Sequence, residues 1–142
     1  MDLVVYSNTY LSIYNQLIKK MANAINWFEI PAKNLDRACS FYGAVLNGEI
    51  HQQEIVGTRM GFLPHGQQEV GGALVEGDGY EPSESGPLVY LNGGQDLSDP
   101  LGRVEQAGGK VVLPKTKISD EIGYMAIFKD SEGNKVAFHS PQ

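Results

Sequence analysis

Apolar and polar positions follow a clear plan from residue 25 onward. Residues 25–30 (Ile-Asn-Trp-Phe-Glu-Ile) are rich in β-branched and aromatic side chains, which predicts a strand that ends at Pro31. Asn34 is then a suitable N-cap, and Asn47-Gly48 a suitable C-cap, for a helix between them. Apolar residues recur at helical intervals inside it, at Leu35, Ala38, Phe41, Tyr42, Val45 and Leu46. Three strands are predicted next, over about residues 49–55, 59–63 and 72–76.

The same order of elements is predicted a second time. Residues 88–92 predict a strand, and a helix with Ser98 or Asp99 as its N-cap follows and ends at Gly108-Gly109. Three further strands are predicted over about residues 111–114, 123–128 and 135–139, with a tight turn over 130–134. Corresponding elements lie about 64 residues apart, which indicates an internal duplication.

The duplication predicts the fold class, which is α+β with two βαβββ repeats. We assign the repeats to residues 23–80 and 86–141 of a single domain that spans 23–141. A half of about 55 residues would bury little apolar surface alone, so the halves are expected to share a core. The linker, residues 77–86, is acidic and rich in glycine, and it is either a lid or a tether.

Residues 1–22 differ from the rest and are predicted to be an extension outside the fold. Leu11, Tyr14, Leu17 and Ile18 share one stripe if this segment is helical. An amphipathic helix docked on the domain or on a partner is one alternative. A targeting segment is another, although the segment lacks a basic start and a small-residue cleavage site.

Composition excludes several classes of function. The net charge is −6, without a cluster of basic residues, which argues against binding to nucleic acid or to anionic lipid. No apolar run reaches the length of a membrane span. Cys39 is the single cysteine, so an internal disulfide and a multi-cysteine zinc site are excluded, and a reducing cytoplasm is the expected location.

The motifs of both halves resemble those of one family. They are INWFEIP (25–31), NLDRA (34–38) and FY (41–42) in the first half, and GGKVV (108–112) and FKDSEGNKV (128–136) in the second. They are similar to motifs of the vicinal oxygen chelate superfamily, which includes glyoxalase I, extradiol dioxygenases, fosfomycin-modifying enzymes and bleomycin-binding proteins. The opening looks most like the bacterial branch described as "predicted enzyme related to lactoylglutathione lyase".

This resemblance implies paired half-barrels around a concave cup, and it implies a homodimer. In metal-using relatives the cup holds one divalent ion, with ligands, typically His and Glu, on the first and last strand of each half. The corresponding positions here are Trp27, Leu74, Val89 and Ala137, none of which is a metal ligand. We therefore expect no cofactor. A register shifted by two residues would instead bring Glu76 and His139 to a relocated Zn, Ni, Mn or Fe ion.

Strand alternation completes the predicted site. The residues expected to line the cup and bind a ligand are Trp27, Leu74, Val89, Tyr124, Phe128 and Ala137. The resemblance implies a glyoxalase-like protein with a degenerate metal site, and the apolar lining predicts that it binds a small apolar or planar molecule.

Two alternative functions stay open. The first is a lyase or isomerase related to glyoxalase I, in which Glu29, Glu76 or His139 transfers a proton α to a carbonyl. Glu29 could instead only pair with Arg59 or Lys135. The second alternative is an assembly module whose cup is filled by its own side chains. His65, in a polar loop over the rim of the cup, is interpreted as a solvated residue.

Overall fold

The computed structural model describes the backbone of residues 3–20 and 23–142 and the side chains of residues 8–16 and 23–142. Eleven elements follow in chain order: α1 (Leu3–Lys20), β1 (Trp27–Pro31), α2 (Leu35–Leu46), β2 (His51–Ile55), β3 (Thr58–Phe62), β4 (Gly71–Glu76), β5 (Tyr90–Asn92), α3 (Ser98–Leu101), β6 (Lys110–Ser119), β7 (Gly123–Lys129) and β8 (Lys135–Ser140).

The strands form two mixed four-stranded sheets of identical plan. The first sheet has the order β1-β4-β3-β2 and the second the order β5-β8-β7-β6. In each sheet the first and last strands of the repeat pair in parallel, and the remaining pairs are antiparallel. The predicted α+β class with two βαβββ repeats is therefore confirmed, while the residue boundaries of the domain and repeats stay predictions.

Helix α2 has the predicted caps at both ends. The side chain of Asn34 accepts a hydrogen bond of 3.0 Å from the backbone N–H of Arg37. Asn47 ends the helix in the left-handed conformation with φ of 51°, and its N–H donates to carbonyls of the last turn. Such caps satisfy backbone groups that the helix itself leaves without partners.

The second helix differs from its prediction. Helix α3 is only one turn long, and the chain continues to Gly108 through turns rather than as an α-helix. Neither Ser98 nor Asp99 is the N-cap, since that position falls on Leu97. The backbone N–H of Ser98 instead donates a hydrogen bond of 2.9 Å to the side chain of Asp96. Pro100 and Gly102 give this segment a weak intrinsic preference for helix.

A hydrophobic core cluster with residues from both repeats joins the two halves of the described structure. Phe41 of α2 packs against Phe128 of the second sheet with ring centroids 6.1 Å apart, and Phe128 stacks on Phe138 at 4.8 Å. All three aromatic side chains are essentially buried, as is Tyr42 beside them. A side chain from the helix of the first half thus reaches the aromatic cluster of the second sheet, in agreement with the expectation that the halves share a core.

The tight turn before β8 also binds the first half. The amide of Asn134 donates a 2.7 Å hydrogen bond to the carbonyl oxygen of Pro31 at the end of β1. Oε1 of Glu132 accepts from the backbone N–H groups of Lys33 and Asn34 at 2.9 and 2.7 Å. The predicted turn therefore connects the two repeats as well as two strands.

Helix α1 exposes its described side chains to solvent. All residues from 8 to 16 are exposed, including Leu11 and Tyr14 of the predicted apolar stripe. The side chains of Leu17 and Ile18, the other two members, lie outside the described residues. None of the described helices is long and apolar enough to cross a bilayer.

Candidate functional site

Each sheet turns one face toward the core and carries a different set of side chains on the other. In β1, Phe28 and Ile30 pack on the core side, so alternation directs Trp27 and Glu29 to the opposite face. The parallel register then pairs Trp27 with Gly71 and Glu29 with Ala73. We call this surface the open face of the first sheet; its members are Trp27, Glu29, Met60, Phe62, Gly71, Ala73 and Val75.

The second sheet follows the same rule. Leu91 of β5 and Phe138 of β8 are partners in the core, so Tyr90 and Asn92 face away from it together with Ala137 and His139. The open face of the second sheet consists of Tyr90, Asn92, Met125, Ile127, Ala137 and His139.

Several residues that were predicted to line the cup face the core instead. Leu74 and Phe128 are fully buried in the core cluster. Val89 and Tyr124 pack against that cluster, although Val89 also borders the groove described below. The predicted orientation of these side chains is wrong because their strands lie one residue away from the expected alternation, and a shift of one residue moves a side chain to the other face of the sheet. Trp27 and Ala137 lie on the open faces, and their role in binding stays a prediction.

A groove of about 1000 Å³ opens between the halves. It is lined by the segments 23–28, 63–72 and 87–92, so both repeats contribute to it. Trp27, whose exposed fraction is 42%, and Tyr90, at 49%, lie in its wall. Trp27 also packs against Phe62, with ring centroids 6.0 Å apart and a tilt of 58°. The groove thus combines an apolar wall with accessible aromatic rings.

Glu29 has a partner that the sequence did not indicate. The phenol of Tyr80, in the linker, donates a hydrogen bond of 2.9 Å to Oε1 of Glu29. This bond and the negative charge of the carboxylate raise the pKa of Tyr80. The expected ion pair between Glu29 and Arg59 is wrong, because Arg59 pairs with Asp36 and Glu76 instead. The alternative partner, Lys135, makes no contact with Glu29 in the described structure. The linker therefore reaches the open face of the first sheet.

Glu76 lies on the opposite side of the first sheet from Glu29. Its Oε2 pairs with Arg59 at 2.8 Å, and its Oε1 accepts from the backbone N–H of Leu35 in the first turn of α2. Hydrogen bonding to Glu76 is the main reason why the pKa of Arg59 is raised. The prediction that Glu76 faces the cup is therefore wrong, because this carboxylate is fixed at a helix N-terminus.

His139 lies on the open face of the second sheet, between Asn92 and Met125 in the register. Its Nε2 donates a 2.6 Å hydrogen bond to the carbonyl oxygen of Ile122. The three predicted acid–base residues therefore occupy three surfaces: Glu29 on one open face, His139 on the other and Glu76 at the start of α2.

The side chains at the positions of the family's metal ligands do not fit a divalent metal ion. A shift by one residue replaces Leu74 by Ala73 or Val75 and Val89 by Tyr90, and these residues, like Trp27 and Ala137, offer no usual metal ligand. Across residues 8–16 and 23–142, no three His, Cys, Asp or Glu side chains are grouped so that they could hold a metal. Cys39 lies on α2 and is buried against Gly61 of β3, and burial is the main reason why its pKa is raised to about 11.

The family model of the Glyoxalase/Bleomycin resistance protein/Dioxygenase superfamily matches residues 24–138. A search of the curated proteins found no significant match. Many solved structures are similar. A hypothetical protein from S. aureus is 22% identical with a TM-score of 0.60, and the match covers 83% of this chain and 94% of that one.

Two further structures illustrate the range of similar proteins. The trypanothione-dependent glyoxalase I of Leishmania major is 14% identical with a TM-score of 0.61, over 84% of this chain and 87% of that one. TnmS3, described as an antibiotic-binding protein from a Streptomyces species, is 22% identical with a TM-score of 0.58, over 84% and 97%. At these identities the similarity establishes a shared fold and nothing more.

Proposed function

Because this chain belongs to the Glyoxalase/Bleomycin resistance protein/Dioxygenase superfamily, we propose that it binds a small apolar or planar molecule in the groove between its halves. The observation that carries the proposal is the groove itself, about 1000 Å³ in volume, with Trp27 42% exposed in its wall. Small-molecule sites are typically concave and largely apolar, with volumes of about 300–1000 Å³.

The aromatic side chains support a planar ligand. Trp27 and Tyr90 present flat apolar surfaces to the groove, and such rings prefer offset-stacked or edge-to-face contact with another ring. One structural neighbour, TnmS3, is described as an antibiotic-binding protein, which is consistent with ligand binding on this fold.

The test is a thermal-stability measurement with 2-naphthol as a planar probe. A ligand present at about 100 times its Kd should stabilise the folded chain by about 2.7 kcal/mol and raise Tm accordingly. Trp27→Ala should abolish the shift. Val112→Ala, which alters an exposed side chain of β6 outside the groove, should leave it unchanged. Equal shifts in the two variants, or no shift in the wild type with either 2-naphthol or 2-methoxynaphthalene, would refute the proposal.

We also propose that two copies of the chain form a homodimer. Apolar side chains on the open faces support it, because Trp27 and Tyr90 are exposed while Met60, Phe62, Met125 and Ile127 are only half-buried. Sedimentation equilibrium should give about twice the chain mass of 15.5 kDa. A mass equal to that of one chain at micromolar concentration would remove the pairing but not the binding site.

A second candidate is a lyase or isomerase in which Glu29 removes a proton α to a carbonyl and returns it to another atom. It is favoured by the exposed position of Glu29 on an open face and by the phenol of Tyr80 at 2.9 Å, a second group able to exchange a proton. Loss of turnover in Glu29→Gln, with binding retained, would support this function over binding alone.

A further inference from the structure

The loop between β3 and β4 folds the ring of His65 back onto Gly71. A Cβ atom built on Gly71 would lie 2.6 Å from Nε2 and 2.9 Å from Cγ of His65, closer than real Cβ contacts allow. Gly71 does not have the positive φ that usually explains a glycine. Glycine is therefore required at position 71 because a side chain there would collide with the imidazole of His65.

The contact between His65 and Gly71 lies next to the aromatic wall of the groove. Gly71 is the register partner of Trp27 on the open face of the first sheet, and His65 and Trp27 both line the groove. Glu69, from the same loop, lines it as well. The loop thus places an imidazole beside the strand position that pairs with Trp27, and it contributes a carboxylate to the same groove.

The hydrogen bonding of His65 determines which nitrogen can meet a ligand. Nδ1 is 2.8 Å from the carbonyl oxygen of Gly66, and since a carbonyl can only accept, Nδ1 carries the hydrogen. In the neutral ring Nε2 then has a lone pair and acts as an acceptor. The carboxylate of Glu69 is an acceptor too.

We propose that His65 is the polar recognition residue of the groove and that Nε2 accepts a hydrogen bond from an O–H or N–H group of a planar ligand against Trp27. The ligand class is a neutral aromatic compound with a donor, such as a phenol or a heteroaromatic N–H. Carboxylates and phosphates are disfavoured, because Glu69 and the lone pair of His65 would face their negative charge. The inference rests on the proposed binding function and adds the chemistry of selection to it.

Matched probes test this selection. Calorimetric titration compares 2-naphthol, 2-methoxynaphthalene, which lacks the donor, and 2-naphthoate, which is anionic. The wild type should bind 2-naphthol about threefold to tenfold more tightly than the methyl ether, as one neutral hydrogen bond provides. It should bind 2-naphthoate most weakly.

Two variants act on His65 in different ways. His65→Phe keeps a ring over Gly71 but removes the nitrogen, and Gly71→Ala keeps the imidazole but displaces it. Either change should reduce the preference for 2-naphthol to none while the affinity for 2-methoxynaphthalene stays within about twofold. His51→Phe, an exposed histidine of β2, is the control and should keep the preference. If Gly71→Ala does not fold, His65→Phe alone still tests whether His65 determines the preference for 2-naphthol.

The outcomes separate this inference from the function on which it rests. Equal affinity of the wild type for both naphthalenes, or an unchanged preference in His65→Phe, would overturn the role of His65 and leave the binding function intact. Absence of binding of both probes would overturn both proposals. Nitrogen NMR of the imidazoles, assigned with His65→Phe, should find the hydrogen of His65 on Nδ1, and a hydrogen on Nε2 would contradict the acceptor role.

Discussion

The phenol of Tyr42 donates a hydrogen bond of 2.8 Å to Oδ2 of Asp130, which fixes the helix of the first repeat to the last turn of the second. Asp130 lies in the turn before β8, and its Oδ1 accepts from the backbone N–H groups of Glu132 and Asn134. Both partners of the bond are buried. This contact joins the repeats through a polar group within their common core.

Tyr42→Phe should lower the free energy of unfolding by about 1–3 kcal/mol, because a buried carboxylate loses a donor while the ring volume is kept. Urea denaturation near neutral pH measures the change. Tyr10→Phe, on the exposed side of α1, is the matched control and should cost almost nothing. A similar effect in the two variants would show that the bond to Asp130 contributes no stability.

The same tyrosine predicts a loss of stability in alkaline solution. Burial first, and then the charge of Asp130 and the hydrogen bond to it, raise the pKa of Tyr42 well above its ordinary value of 10.0. A raised pKa in the folded state contributes stability that is present below the unfolded value and is lost as the pH rises through the folded value. Stability should therefore fall above about pH 10, and less steeply in Tyr42→Phe. Parallel curves for the two proteins would contradict this assignment.

Glu132 predicts the opposite behaviour in acid. Burial alone would raise its pKa, but hydrogen bonds from Arg37, from the backbone of Asn34 and from Ser131 outweigh burial, and the pKa is lowered from 4.5. A lowered folded pKa gives stability that is present above the unfolded value and is lost as the pH falls through the folded value. Acid unfolding should accordingly begin as Glu132 gains its proton.

Glu132→Gln should cost about 1–3 kcal/mol near neutral pH, since an amide cannot replace both oxygen acceptors of a side chain whose exposed fraction is 0%. The difference from wild type should shrink below pH 4.5. Glu105→Gln, at an exposed position, is the control, and denaturation at several pH values provides the measurement. A difference that does not depend on pH would count against the ion pair with Arg37.

Glu29→Gln should lower the pKa of Tyr80 toward its ordinary value of 10.0, because a neutral amide no longer favours the protonated phenol electrostatically. The absorbance of phenolate during alkaline titration, taken as the difference between variant and wild type, reports this change. Glu54→Gln, on the exposed strand β2, should not alter the titration. No difference would mean that the linker does not hold Tyr80 at Glu29 in solution.

Cys39 should react slowly with iodoacetamide in the native protein. Its pKa of about 11 keeps the thiol protonated at pH 8, and the side chain is buried. We expect alkylation to be about 100-fold slower than in the urea-unfolded chain, where this single cysteine serves as its own control. Similar rates in the two states would indicate that the packing of α2 on β3 does not cover the thiol.

Local sequence patterns were sufficient to identify most of the elements and their repetition, although the second helix is shorter than they predict. Spacings of three, four and seven identify α2, the Asn34 and Asn47 caps mark its ends, and turn residues separate the strands. These signals are local, because each comes from residues within a few positions of one another. The repeated order of the signals was then enough to predict two βαβββ units.

Which side chains come together in a site depends on long-range packing, which no local pattern shows. Leu74 and Glu76 differ from Ala73 and Val75 by one position, and the hydrogen-bonded register, set by packing across the whole sheet, selects the face on which each lies. Tyr80 meets Glu29, and His65 lies on Gly71, through the paths of two loops. Loop paths depend on contacts between residues far apart in the chain, so no local pattern encodes them, whereas the period of a helix or strand is repeated in its own residues.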